Sequence, residues 1–141
     1  MSNEREDRYD VGQVIIRYAT SVDQRDMARY GSCFTDDVVV TGFSSGPVEG
    51  RDAWVGFVEK ALQKFRGTHH QITNQEITVD GDGAHMRSYV QATHELAGDH
   101  EHLLILYAIY DDRLARTDDG WQITHHELER LIDSKKVRVS A

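Results

Sequence analysis

A chain of 141 residues suits one domain, because a single core at this length hides about two-thirds of the unfolded surface. The 16 Lys and Arg against 24 Asp and Glu leave a net charge of −8, so the average surface repels phosphate backbones and anionic lipid, and neither nucleic acid nor a membrane is expected as a partner. No stretch approaches the run of about 18 apolar residues that spans a bilayer, and residues 1–8 are almost wholly polar, so we expect a cytoplasmic protein with a flexible N-terminus over 1–8 and no signal peptide.

The first element is read from Val11, Val14, Ile15, Tyr18, Ala19 and Val22, which recur at helical spacing and predict an amphipathic helix of about four turns. Asp26 then stands as the cap of a short second helix carrying Met27, Tyr30 and Phe34, with Thr35, Asp36 and Asp37 as its exit loop. Cys33, the only cysteine, falls in that apolar pattern and reads as a buried structural thiol; alone it forms neither an internal disulfide nor a thiolate metal cluster. The β-branched run Val38, Val39 and Val40 predicts a strand, broken by Ser44, Ser45, Gly46 and Pro47. Gly50 precedes a third helix in which Trp54, Phe57, Val58, Ala61, Leu62 and Phe65 repeat the helical spacing until Gly67.

Beyond Gly67 the pattern is β. Turn signals at 80–83, 98–99 and 118–120 separate four long runs, which predict a curved antiparallel sheet packed against the N-terminal helices, an α+β half-barrel. Residues 103–109 are apolar at every position, so both faces of that strand need cover; a homodimer or homotrimer burying part of 103–110 supplies it on one side. The domain is expected over 9–132, with 133–141 as a solvated or loosely docked C-terminal tail.

Polar residues on apolar faces carry the chemistry. Alternation puts His94 on one face with Met86, Val90 and Ala92, and His70 on one face with Ile72, while Ile77 and Val79 are out of phase and predict a bulge between. Asp23 lies at the edge of the first helix's apolar stripe and Tyr18 within it. Two imidazoles, a carboxyl and a phenol are thus expected to converge inside the half-barrel, and an imidazole oriented by a carboxylate is the usual form of a general base. One of His125 and His126 must face inward on the last strand. The wall of a hydrophobic small-molecule pocket is expected from Trp54, Phe57, Val90, Tyr107, Tyr110 and His125. Eight histidines raise a metal reading, but His100 and His102 flank a turn and no His-Glu-x-x-His motif is present, so no metal site is expected. No Gly-rich phosphate loop implies a nucleotide cofactor, and Asp111, Asp112, Asp118 and Asp119 read as a solvated strand end and turn.

The segments RYATSVDQRD (17–26), GTHHQITN (67–74), YVQATHE (89–95) and DDGWQI (118–123) stand in the order and spacing of SnoaL-like proteins of the nuclear transport factor 2-like superfamily, and the chain resembles that group over about residues 8–132. Within it the chain looks most similar to cofactor-free lyases: scytalone dehydratase, the bile-acid dehydratase and hexachlorocyclohexane dehydrochlorinase. The resemblance implies catalytic roles for Asp23 and His70 as a dyad, with His94 and Tyr18 matching substrate-facing residues, and a late-strand arginine matching Arg113 or Arg116. Val22 and Gly42 stand where scytalone dehydratase has paired tyrosines, which argues against scytalone itself as substrate. The activity so implied is a cofactor-independent dehydratase-like lyase acting on a cyclic or polyketide-like molecule, in which His70 takes a proton α to a carbonyl and Tyr18 and His94 bind the enolate or leaving oxygen. The alternatives are a polyketide cyclase or isomerase on the same site, and a non-catalytic binding or dioxygenase-small-subunit-like module.

Overall fold

The computed structural model describes residues 3–139. Helix α1 (Glu4–Gln24) runs the full apolar stripe, burying Val11, Val14, Ile15, Tyr18 and Val22, and α2 (Met27–Gly31) follows with Asp26 as its cap, the carboxylate accepting from the Arg29 N–H. Strands β1 (Phe34–Thr41) and β2 (Val48–Glu49) lead into α3 (Arg51–Leu62). Four long strands complete the chain: β3 (Phe65–Asp80), β4 (Gly83–Leu96), β5 (His102–Thr117) and β6 (Gly120–Arg138). All six strands form one open sheet in the order β2-β1-β6-β5-β4-β3.

The four predicted C-terminal runs pair as antiparallel neighbours, but β1 joins β6 in parallel, so the sheet is mixed. Parallel pairing follows from the crossover: β1 is separated from β6 by α3 and four strands, and so is not bound to the antiparallel sense that a short hairpin imposes. The predicted bulge in β3 lies between Thr73 and Glu76, where Asn74 takes φ 49° and the inward phase passes from Ile72 to Ile77.

Several boundaries differ from the sequence reading, each because tertiary pairing overrides local pattern. Phe34 opens β1 instead of closing α2, and Thr35, Asp36 and Asp37 lie in that strand, not in a loop. Phe65 and Gly67 belong to β3, since α3 stops at Leu62. The expected tail continues β6 to Arg138, with Lys135 to Arg138 paired to His102 to Ile105, although its side chains are exposed; residues 140 and 141 lie outside the described residues. At the other end, α1 begins inside the segment expected to be flexible. Asp7 is buried and accepts from Arg116 Nη1 at 2.8 Å and from Trp121 Nε1 at 3.4 Å, while the Arg116 guanidinium stacks on the Trp121 ring. Residues 1 and 2 lie outside the described residues. No described helix is long and apolar enough to cross a membrane.

The core fills the space between α1, α2, α3 and the inner face of the sheet, with Tyr30, Phe34, Trp54, Met86 and Ile123 fully buried. Cys33 is buried there too, and burial pushes its thiol above the ordinary range, as expected of a structural cysteine. Gly42 ends β1 at φ 88°, and a Cβ there would lie 2.2 Å from the Leu128 carbonyl oxygen. Gly42→Ala is therefore expected to destabilise the fold by about 2–3 kcal/mol or more, read as a fall in the midpoint of urea unfolding. An unchanged midpoint would contradict this close approach of β1 to β6.

Candidate active site

Asp23 occupies the last turn of α1, and the helix ends one residue later because Arg25 adopts the left-handed conformation, φ 61°. That turn aims the Asp23 carboxylate at β3, where alternation puts Thr68 and His70 on the same face. Three hydrogen bonds meet the carboxylate. His70 N–H donates to Oδ2 at 2.8 Å, the Thr68 hydroxyl donates to Oδ1 at 2.9 Å, and His70 Nδ1 lies 2.7 Å from Oδ1. Arg25 braces the arrangement by donating to Thr68 Oγ1 at 2.7 Å and to the Val22 carbonyl at 2.7 Å. Burial acts to raise the Asp23 pKa, but the His70 ring, the His70 backbone and Thr68 outweigh it and hold the carboxyl below its ordinary value. An ionised Asp23 only accepts, so Nδ1 carries the ring proton of a neutral His70 and Nε2 is left with its lone pair.

The register pairs Thr68 with His94 across β3 and β4, which brings the His94 ring within 5.8 Å of His70, centroid to centroid and nearly perpendicular. His94 Nδ1 lies 3.0 Å from the Leu104 carbonyl, an acceptor only, so His94 also keeps its proton on Nδ1. Burial, opposed by that carbonyl, lowers the His94 pKa and favours the neutral ring. His94 therefore presents a hydrogen-bond acceptor, which suits a substrate hydroxyl better than an enolate oxygen.

Both imidazoles open on a cavity of about 250 Å³ between α1, α3 and the sheet. Its apolar walls include Trp54, Phe57, Phe43 and Leu106, its closed side carries Tyr18, Tyr30 and Tyr110, and the exposed Arg130 stands at the rim. Of the expected pocket residues, Trp54, Phe57 and Tyr110 line it. Val90, Tyr107 and His125 do not. Val90 faces inward but is sealed in the core, and Tyr107 alternates with the cavity-lining Leu104, Leu106 and Tyr110 to the opposite face of β5. His125 lies on the outer side of β6, and the inward histidine is His126.

The four expected catalytic groups divide. Asp23, His70 and His94 form one group, while Tyr18 lines the same cavity without touching them and pairs instead with His126, its Oη 3.1 Å from Nε2. His126 in turn bonds Asp112 through Nδ1, both side chains being 0% exposed. Asp112 is thus a buried partner and not part of a solvated strand end; its phase with Tyr110 and Leu114 was the available signal. Neither Arg113 nor Arg116 reaches the cavity. Arg130 does, two residues after the inward Leu128 and so in phase with it.

This α+β half-barrel, with an acid–imidazole pair opening on an apolar cavity, defines the class: a curved mixed sheet folded against N-terminal helices. The SnoaL-like domain family matches residues 3–127, and the chain belongs to it. An uncharacterised protein of Mycobacterium tuberculosis is 31% identical over 118 residues, covering 83% of this chain and 80% of the relative. Among solved structures, a candidate aromatic ring hydroxylase of Novosphingobium aromaticivorans is similar at TM-score 0.87 and 25% identity over 96% of each chain. A candidate scytalone dehydratase of the same organism is similar at TM-score 0.83 and 26% identity, over 94% of this chain and 89% of the other.

The lowered Asp23 pKa has a consequence for stability. A carboxyl depressed in the folded state contributes fully above its ordinary unfolded value and loses that contribution as pH falls through the folded value. Compared by urea unfolding, wild type and Asp23→Asn should differ most at neutral pH, with the gap narrowing below about pH 4. A gap independent of pH would remove Asp23 as the ionised partner of His70.

Proposed function

We propose that this chain is a cofactor-independent lyase of the dehydratase type, acting on a hydroxylated, carbonyl-activated cyclic or polyketide-like molecule. The observation that carries the reading is the 2.7 Å contact from Asp23 to Nδ1 of His70, an imidazole that lines the cavity. His70 Nε2 takes the proton α to the carbonyl, and the electron pair left on carbon enters the enolate. The enolate re-forms the carbonyl as the carbon–carbon double bond forms and the β carbon–oxygen bond breaks. The departing hydroxide leaves as water with the proton His70 holds, which returns the base to its starting state. Asp23 stabilises the imidazolium in between. His94 accepts from the substrate hydroxyl and orients it, the tyrosine side of the cavity holds the carbonyl oxygen, and the aromatic walls take the ring carbon. All the steps draw on side chains and substrate alone.

A polyketide cyclase or isomerase would use the same base on a different carbon skeleton. The second reading, from another class, is a non-catalytic binding or dioxygenase-small-subunit-like module in which the pair is structural. A panel of cyclic β-hydroxy ketones, followed by the absorbance of the conjugated enone, separates them. His70→Ala is expected to remain folded and to lose about 10²- to 10⁴-fold in rate, and Asp23→Asn a comparable amount. Folded variants with near-wild-type rates would reject the lyase and favour the binding module.

The expected homodimer or homotrimer belongs to this reading, covering Leu103, Ile105 and Tyr107 on the outer face of β5, which are only half-buried in one chain. Light scattering at micromolar concentration is expected to report a dimer or trimer; a monomer would remove the assembly.

A further inference from the structure

The cavity has a second acid–imidazole pair behind it that the proposed lyase steps do not use. Asp112 on β5 and His126 on β6 stand opposite each other in register, and both side chains are 0% exposed. His126 packs among Phe43, Trp54 and Tyr110, and its Nε2 lies 3.1 Å from Tyr18 Oη. Tyr18 lines the cavity. The chain Asp112, His126, Tyr18 therefore leads from a sealed interior to the ligand space.

The proton count of the sealed pair decides which way the Tyr18 hydrogen bond points. A bare carboxylate with a neutral imidazole would bury a net negative charge, and Asp112 Oδ2 has no partner among the described residues to share it. The neighbouring Asp111 adds to the cost, and burial raises the Asp112 pKa against the opposing pull of His126. The net-neutral pair holds one more proton. Oδ2 has no acceptor beside it, so the proton lies between Oδ1 and His126 Nδ1, and on either of them the second imidazole nitrogen, Nε2, is protonated. Nε2–H then donates to the Tyr18 oxygen, and the phenol's own proton is turned to the tyrosine side of the cavity, where the Tyr30 and Tyr110 hydroxyls are its neighbours and a substrate oxygen would compete with them for it. Burial keeps Tyr18 protonated, its pKa raised well above the ordinary value, so it remains a donor.

We propose that Asp112 and His126 are positioning residues for Tyr18: they hold its oxygen from behind and so turn its hydroxyl proton toward a substrate oxygen in the cavity. The companions of Tyr18 fit an oxygen acceptor there. Tyr30 Oη and Trp54 Nε1 are buried cavity-wall groups that no hydrogen bond of good geometry satisfies, and Trp54 Nε1 can only donate. A carbonyl oxygen, richer in lone pairs as it becomes an enolate, is the complementary group. What Tyr18 acts on rests on the lyase reading; the direction of its hydrogen bond does not.

The test is proton-detected NMR of the protein labelled with ¹⁵N-histidine, with His126 assigned through contacts to the Phe43 and Tyr110 rings. The expected result is a protonated His126 Nε2 whose proton exchanges slowly, and in Tyr18→Phe that resonance moves upfield and exchanges faster. An unprotonated Nε2 would mean that Tyr18 turns its proton away from the cavity, and a resonance indifferent to Tyr18→Phe would mean no bond at all; either overturns the proposal. A variant with Asp112→Leu and His126→Phe together leaves no orphan charge, so it is expected to stay folded with little loss of thermal stability. It should slow the exchange of the α protons of 1-tetralone for solvent deuterium by about tenfold, the value of one lost hydrogen bond. Reduced stability with unchanged exchange would make the pair purely structural. If His70→Ala also leaves exchange unchanged, the lyase reading fails while the NMR result still decides the positioning proposal.

Discussion

The Asp23 carboxylate joins the end of a helix to the start of a strand, and the geometry of the cavity depends on that junction. All three of its hydrogen bonds come from β3, one from a backbone N–H and two from side chains on one face. A carboxylate at a helix C-terminus stands against the helix dipole and here is largely removed from water, so it is tolerated only where donors compensate it. Here the compensation fixes a position for His70, a tautomer for its ring and a direction for its free lone pair. The left-handed turn at Arg25 serves the same end, since it brings the guanidinium back onto Thr68 and closes the ring of contacts.

Two acid–imidazole pairs sit on one sheet and differ mainly in access to water. Asp23 and His70 are 20% and 10% exposed, the three donors on β3 hold the carboxylate ionised against partial burial, and the ring is an acceptor toward the cavity. Asp112 and His126 are sealed, which forces the pair toward neutrality and makes the ring a donor. The same two residue types thus supply opposite hydrogen-bonding characters to one cavity. This division of labour gives a proton acceptor at His70 and a proton donor at Tyr18 without requiring any other group to change charge in the resting state.

Much of this was legible in the sequence because helical and strand periods encode faces directly. Alternation alone put His70 with Ile72 and His94 with Val90, and the phase slip before Ile77 located the bulge. The α1 stripe placed Tyr18 inside and Asp23 at its edge. Where the reading failed, the information lay in the partner strand. The choice between His125 and His126 depends on an irregular register between β5 and β6, which neither strand's pattern contains. Val90 points inward as read, but whether it meets a cavity or a neighbour is set by packing from α1. Tyr107 and Tyr110 are three residues apart and cannot share a face of a regular strand, so alternation by itself sends Tyr107 to the outer face. Adjacent aspartates at a strand end are usually solvated, and the burial of Asp112 follows only once His126 stands opposite it.

The central claim is that His70 takes a proton from carbon inside this cavity. A cyclic ketone without a leaving hydroxyl isolates that step, because it can be enolised but not dehydrated. Incubation of the wild-type chain with 1-tetralone in deuterium oxide, followed by proton NMR, measures the replacement of the α protons. The account predicts exchange well above the buffer rate, abolished in folded His70→Ala. Exchange at the buffer rate in the wild type, or undiminished exchange in the variant, would contradict it.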